Sequence, residues 1–284
     1  MSRLRIVVDS AADFHTPQLV ERYQLTVVPQ RVTLGSEQFW DYEELSPASL
    51  FQKWSALDGV SPSISAPSTE RFADIYQRLC AENHKVISLH PSRALSASYD
   101  NAKAAADQLL GRYDIAVLDT QTTSAGLSLL AEVAGQIAET ITSLEDAVRV
   151  LRGAIARTYS VFFVDTLDTI QRHALLGEAQ AILGTMLGIK PFITIEEGQL
   201  MTMEKVRNRA QAVDKLVEFV SEFGSIDKLV ILKNSPFTSD TIRLLQDRLN
   251  TEIGQQSYPV ILYGSMLAHY LGPDATGIVI LESE

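Results

Sequence analysis

The stretch from Lys85 to Asp119 reads KVISLHPSRALSASYDNAKAAADQLLGRYDIAVLD, and its pattern indicates the fold class. It opens on the apolar run KVISLH, continues through the Ala-rich segment ASYDNAKAAADQLL, and closes on a second apolar run, DIAVLD. Short continuous Val/Ile/Leu runs are typical of strands that are buried on both faces, and the segment between them is typical of a helix. The stretch therefore predicts two parallel strands joined by a helix.

The same alternation continues on both sides of this stretch. LRIVVD (4–9) predicts a buried strand, and LTVVPQRVTL (25–34) predicts a second extended run. DGVSPSISAPS (58–68) is dense in Ser, Pro and Gly, which indicates a loop. We predict helices in these segments: up to Tyr23, Pro47–Leu57, from Thr69, and a long tract Ser124–Ala156 broken near 141–143. We expect an α/β fold whose first domain has a mainly parallel sheet flanked by helices.

The second half of the chain contains a hairpin signal. IKPFITI (189–195) and QLMTMEKV (199–206) are separated by Glu196-Glu197-Gly198, and Gly supplies the positive φ that such a turn needs. Further strands are predicted at YSVFFVD, KLVILK, YPVILY and GIVILE, and helices at about 167–187, 209–223 and 239–249. An antiparallel hairpin makes the sheet mixed. We therefore predict two domains, 1–157 and 158–284, the second with a mixed sheet and helices.

Charge and composition limit the partners. The 284 residues include 24 Lys+Arg against 35 Asp+Glu, a net charge of −11, which disfavours nucleic acid and anionic membrane surfaces. MSRLRIVVDS enters a strand directly, and Tyr258–Leu271 is too short to span a bilayer, so we expect a soluble, cytoplasmic protein without membrane insertion. The single Cys80 lies on the apolar face of a predicted helix, and we interpret it as a core residue.

Motif searches indicate no catalytic or metal site. The sequence has no phosphate-binding glycine loop, nucleophile elbow or HExxH, and its five histidines are scattered. We therefore expect no catalytic residues, no metal and no cofactor. Hydroxyl and carboxylate residues do follow three predicted strands, at 9–13, 92–98 and 119–124. The carboxyl ends of parallel strands form a ligand crevice, so Ser96 or Ser98 either binds an anion at a helix start or caps that helix.

Five segments in order resemble the DegV family of bacterial fatty-acid-binding proteins over nearly the whole chain. These are VVDSAAD (7–13), SISAPSTERF (63–72), LSASYDNA (95–102), LGIKPFITIEEGQL with KVR (187–207), and AHYLGPDATG (268–277). The resemblance implies one long-chain fatty acid, with its tail in an apolar tunnel and its carboxylate near the domain junction. It also implies that a separate fatty acid kinase subunit is the partner, so that the chain is a carrier and not an enzyme.

By position, the resemblance assigns lipid-binding roles to Ser65, Ser96 and His269, as hydroxyl and imidazole donors to the carboxylate. The alternatives are that Ser65 is an ordinary loop hydroxyl and that His269 is a satisfied interior histidine. Several positions depart from the family pattern: among them, Ile64 replaces a threonine, His173 and Ala174 replace two glycines, and Leu175 replaces an arginine. These departures leave open a smaller carboxylate as the ligand, and a hydrolase or phosphotransferase on the same scaffold is a further alternative.

Overall fold

The computed structural model describes residues 3–57, 59–165, 168–173, 190–237, 239–254 and 258–284. The first half contains a four-stranded parallel sheet in the order β2-β1-β6-β7. Its strands are β1 (Leu4–Asp9), β2 (Thr26–Val28), β6 (Lys85–His90) and β7 (Ile115–Asp119). The predicted parallel sheet is therefore confirmed, and the two strands predicted within 85–119 are neighbours in it.

A second, antiparallel sheet in the first half was not predicted. It has the order β4-β3-β5, with β3 (Arg31–Leu34), β4 (Glu37–Trp40) and β5 (Ser63–Ser65). The prediction of a single extended run over 25–34 was wrong, because β2 and β3 belong to different sheets and Pro29 lies between them. Proline has no N–H to continue a strand ladder. The predicted loop at 58–68 also contains the short strand β5.

Helices cover the sheets as the sequence predicts. The helices of the first half are α1 (Gln18–Arg22), α2 (Pro47–Trp54), α3 (Thr69–Ala81), α4 (Ser98–Gln108), α5 (Ala125–Thr140) and α6 (Leu144–Ala156). The break in the long tract falls at the predicted place, where Ser143 caps α6 through a hydrogen bond from Asp146 N at 3.3 Å. Cys80 is buried in the core between α3, α4 and the parallel sheet, which confirms its interpretation as a core residue.

The second half is built on a mixed six-stranded sheet in the order β10-β9-β8-β13-β11-β12. Its strands are β8 (Thr158–Val164), β9 (Lys190–Glu196), β10 (Gln199–Val206), β11 (Ile226–Lys233), β12 (Val260–Leu262) and β13 (Ala275–Glu282). Its helices are α7 (Asp168–Arg172), α8 (Arg209–Ser221), α9 (Asp240–Ile253) and α10 (Ser265–Leu271). Most of the predicted helical tract at 167–187 lies outside the described residues. The hairpin is confirmed, with φ of +48° at Glu197 and +80° at Gly198.

Helix α5 packs between the two large sheets. It contacts β1 and β6 of the parallel sheet and also β8, β11 and β13 of the mixed sheet. One hydrophobic cluster accordingly combines Leu50, Leu129 and Leu130 of the first half with Phe162 and Leu232 of the second. The core is thus continuous across Arg157, where α6 leads into β8, and the division into two domains at this residue stays a prediction.

Candidate ligand-binding site

A cavity of about 1070 Å³ opens where the two halves meet. The first half contributes α2 and the segment that follows it, and the second half contributes α7 and the loops after β11 and α10. Its wall is largely aromatic and aliphatic, with these members: Phe51, Trp54, Leu57, Val60, Pro236, Phe237 and Pro273. Ligand pockets of small-molecule-binding proteins have volumes of about 300–1,000 Å³ and predominantly apolar walls. The volume and the lining therefore suit a large apolar ligand.

Arg172 places a positive charge on the wall of this cavity. Its Nη2 donates to Thr169 Oγ1 at 3.1 Å, and its Nη1 donates to Ser61 Oγ. Ser61 belongs to the first half and Arg172 to the second, so this contact joins the halves at the cavity wall. A guanidinium carries a permanent positive charge and N–H donors in a planar fork, which suits it to recognition of a carboxylate.

Helix α10 connects this wall to two of the family-like segments. His269 Nδ1 donates to the carbonyl oxygen of Pro62 at 2.7 Å, one residue from Ser61 in the cavity wall. The hydroxyl of the next residue, Tyr270, donates to the carbonyl oxygen of Leu95 at 2.6 Å. The segment before β5 and the segment before α4 are thus both hydrogen-bonded to α10.

The structure brings the segments of the three predicted lipid-binding residues together through α10, but the three side chains do not bond one another. Ser65 is exposed at the end of β5, opposite Arg31 of β3. Ser96 is half-buried, and its Oγ accepts a hydrogen bond from Ser98 N at 3.2 Å, which is the bond of a local turn before α4. None of Ser65, Ser96 and His269 lies in the wall of the described cavity.

At the carboxyl ends of β1 and β6, the polar side chains are buried and hydrogen-bonded to one another. Asp9, His90 and Ser98 are at most 1% exposed. Ser98 Oγ donates to Asp9 Oδ1, and His90 Nδ1 lies 2.5 Å from Asp9 Oδ2, so the serine and the imidazole both bond the carboxylate instead of each other. Two roles were left open for Ser98, anion binding and helix capping, and the structure shows neither: its hydroxyl donates to Asp9, and the start of α4 has no side-chain cap bond.

Two buried carboxylates hold the start of α10. Asp13 Oδ2 accepts from Gly264 N at 2.8 Å and from Ser124 Oγ, and burial raises the pKa of Asp13 to about 7. Asp41 Oδ2 accepts from Ser265 Oγ at 2.7 Å, and burial raises the pKa of Asp41 as well. Sequence reasoning missed both residues as positioning groups, and only the occurrence of Asp13 in the VVDSAAD segment hinted at a role.

Two histidines that seem scattered in the sequence are neighbours in the fold. The ring centroids of His173 and His269 are 4.5 Å apart, and both rings are half-buried. Burial lowers the pKa of each imidazole, and Arg172 lowers both further. Sequence alone could not pair them, because 96 positions separate them.

The departures from the family pattern at Ile64 and Leu175 differ in what the structure says of them. Ile64 is half-buried and packs against the apolar core of the first half, so its side chain replaces a hydroxyl by a packing contact. Leu175 lies outside the described residues. Within the described part of the chain, no group of three His, Cys, Asp or Glu side chains is arranged to hold a metal ion. No helix there is long and apolar enough to cross a membrane.

The fold and the site define a two-part α/β protein with a large apolar cavity at the junction of its halves. Residues 3–283 match the sequence model of the family described as "Uncharacterised protein, DegV family". A DegV domain-containing protein of Streptomyces coelicolor is 32% identical over 284 residues, which is 99% of each chain. The chain belongs to the DegV family.

Solved structures of relatives share the whole fold. A fatty-acid-binding DegV family protein from Thermus thermophilus has a TM-score of 0.84 and 30% identity, covering 99% of this chain and 100% of its own. A stearic-acid-binding protein from Eubacterium ventriosum has a TM-score of 0.85 at 20% identity, covering 99% of this chain and 98% of its own. The second likeness concerns the fold alone.

Proposed function

We propose that this chain binds one long-chain fatty acid at the junction of its two domains, 1–157 and 158–284. The acyl tail occupies the apolar cavity, and the carboxylate lies beside α10, where Ser96, Ser65 and His269 provide donors. The observation that carries the proposal is the cavity of about 1070 Å³, whose wall includes Ser61 and Arg172. The fatty-acid binding of the relative from Thermus thermophilus, at 30% identity over the full length, supports it.

Energetics favour an acyl tail as the occupant. About 15 methylenes at about 0.8 kcal/mol each give roughly 12 kcal/mol of gross burial free energy. The costs of association and ordering consume much of this, which leaves affinities in the micromolar to nanomolar range. A carboxylate without partners would cost several kcal/mol to bury. Arg172 and the hydroxyl-rich segments offer such partners in a protein whose net charge is −11.

We further propose that the chain is a carrier that presents its bound acid to a separate kinase and does not itself catalyse a reaction. The geometry around Asp9 supports this reading, because Ser98 donates to Asp9 and is not activated by His90. Nucleophilic catalysis needs a serine bonded to a base, and it needs access for the substrate. All three of these side chains are buried.

Native mass spectrometry of the protein purified from bacteria tests the proposal. We expect a co-purifying mass of a long-chain fatty acid that is released by denaturation. Filling the cavity should abolish it: Ala48 is exposed at the start of α2 and lines the cavity, so Ala48→Trp adds bulk there. Ala81→Trp on α3, also exposed and outside the cavity wall, is the matched control. A protein that binds no fatty acid, or an Ala48→Trp variant that binds as well as the control, would overturn the proposal.

A further inference from the structure

We propose that this chain binds the carboxylate of its ligand together with a proton, which the pair His173 and His269 takes up as the anion arrives. The inference rests on the proposed function and adds to it a new binding residue, His173, and a defined pH dependence of affinity.

The N–H groups of the two rings already donate hydrogen bonds to backbone carbonyl oxygens. A carbonyl oxygen can only accept a hydrogen bond, so His269 Nδ1, which lies 2.7 Å from Pro62 O, must carry a hydrogen. By the same argument His173 Nε2 carries one, because it lies 2.8 Å from His269 O. A neutral imidazole has only one N–H. Each neutral ring therefore has only a lone pair left, on His269 Nε2 and on His173 Nδ1.

A lone pair repels a carboxylate. The two histidines can donate a hydrogen bond to an incoming anion only after one ring gains a proton and becomes an imidazolium with two N–H groups. Protonation of one ring affects protonation of the other, because their centroids are 4.5 Å apart and the His173 ring bonds the backbone of His269. Tyr270 packs against the two histidines, with its ring centroid 4.7 Å from that of His173. Two positive charges at this separation repel each other, so we expect one proton and not two.

The surroundings keep both rings neutral before the ligand arrives. Burial lowers the pKa of His173, and the neighbouring His269 and Arg172 lower it further. Burial and Arg172 likewise lower the pKa of His269, against the opposing effect of its bond to Pro62 O. The segment before β5 contributes the Ser61 hydroxyl and a backbone oxygen, and Tyr270 contributes a neutral ring. A carboxylate beside the pair opposes Arg172 and raises both pKa values.

The direction of the pH effect follows. The liganded protein holds more protons than the free protein, so affinity is highest at low pH and falls as pH rises between the free and the bound pKa. One coupled proton gives at most about a tenfold loss of affinity per pH unit in that window. The lower end of this window lies below pH 6.5, the ordinary pKa of histidine, because the pKa of each ring is lowered in the free protein.

Calorimetric titration with palmitate from about pH 5.5 to about pH 8.5 tests the proposal. The variants are His173→Gln with His269→Asn, which keep a side-chain N–H near each carbonyl but cannot gain a proton. The control is His84→Gln, a histidine paired with Glu82 away from the site. Palmitate titrates identically with every protein, so differences between the proteins isolate the proton of the pair. Measurements in two buffers of different ionisation enthalpy count the protons taken up.

We expect wild type and His84→Gln to take up about one proton more than the double variant near pH 7, with a steeper loss of affinity at higher pH. Equal proton uptake and equal slopes in wild type and double variant would overturn the proposal. Should the variant fail to fold, the histidine NMR resonances of the wild type decide: palmitate must move at least one titration midpoint upward, and unmoved midpoints overturn it. Wild type that binds no palmitate at any pH overturns the proposed function itself.

Discussion

The backbone N–H of Gly264 donates a hydrogen bond to Asp13 Oδ2 at 2.8 Å across 251 positions of sequence. The approach is so close that a Cβ on Gly264 would lie 2.2 Å from Asp13 Oδ1, so any larger residue there would displace the Asp13 carboxylate. Gly264 directly precedes α10, the helix that carries His269. The first residues of the chain thus fix the position of a helix near its end, and through it one wall of the proposed headgroup site.

Asp13 makes the stability of the protein depend on pH in a direction opposite to that of an ordinary paired aspartate. Its pKa is about 7 in the folded protein, raised from 3.8 by burial. Between these two values the folded protein holds a proton that the unfolded chain has released, so stability falls as pH rises from about 4 to about 7. The full loss is on the order of 2–4 kcal/mol. Asp41, whose pKa is raised for the same reason, adds to the effect.

Asp13→Asn should therefore flatten the pH dependence of stability, because asparagine keeps the acceptor oxygen but does not ionise. We expect the variant to gain stability relative to wild type at pH 8, and to gain little at pH 4. Urea unfolding at both pH values measures this. Asp240→Asn, at a fully exposed carboxylate, is the control and should gain no stability at pH 8. A constant difference between Asp13→Asn and wild type at all pH values would show that Asp13 does not titrate in this range.

The hairpin tip between β9 and β10 makes a second close contact between the halves. A Cβ on Gly198 would lie 2.4 Å from Ser92 Oγ. Gly198→Ala should cost about 1 kcal/mol for its φ of +80° and about 1–3 kcal/mol more for the contact. Gly111→Ala measures the backbone cost alone, since Gly111 has a φ of +78° and open space around it. The difference between the two variants therefore gives the cost of the contact with Ser92. Equal free energies of unfolding for the two variants would mean that the tip moves away from Ser92 at no cost.

Much of this architecture was predictable from sequence because the signals are local. The parallel strands and the hairpin follow from apolar runs and from one glycine, and both are confirmed. Pro29 is a local signal for the break between β2 and β3 that was not recognised. The role of Gln30, in contrast, is tertiary, since its amide donates to Asp41 Oδ2 at 2.8 Å and to Ser265 Oγ at 2.9 Å. No local pattern reveals a partner 235 positions away.

The candidate site, like the fold, was predictable from the sequence only in part. The resemblance pointed to segments, and the structure places the segments of Ser65 and Ser96 beside α10. Hydrogen-bond directions could not be inferred, so the bond of Ser98 to Asp9 and the pairing of His173 with His269 appear only in the fold. The role of Ser65, Ser96 and His269 in lipid binding stays a prediction.

Two buried tyrosines should respond oppositely to loss of their hydroxyl. Tyr263 donates to Gly272 O at 2.7 Å and accepts from Ala275 N at 3.1 Å, whereas the hydroxyl of Tyr258 is buried without a partner among the described residues. Tyr263→Phe leaves two buried backbone groups unpaired and should destabilise the protein by about 1–3 kcal/mol. Tyr258→Phe removes an unsatisfied group and should be neutral or stabilising. Thermal unfolding measures both, and a similar loss in the two variants would contradict the argument.

The proposed headgroup contacts predict a loss of affinity when they are removed together. Ser96→Ala with His269→Ala should weaken fatty-acid binding by about 1–3 kcal/mol, because the carboxylate then loses two of its proposed polar partners. Ser96 also accepts from Ser98 N, so part of the effect can arise from a frayed start of α4. Ser143→Ala, which removes the corresponding bond at the start of α6, measures that contribution at a site remote from the cavity wall. Calorimetry with palmitate gives the affinities and circular dichroism the helix content. Affinity unchanged from wild type in the double variant would remove both residues from the site, while a loss equal to that of Ser143→Ala would assign the effect to folding.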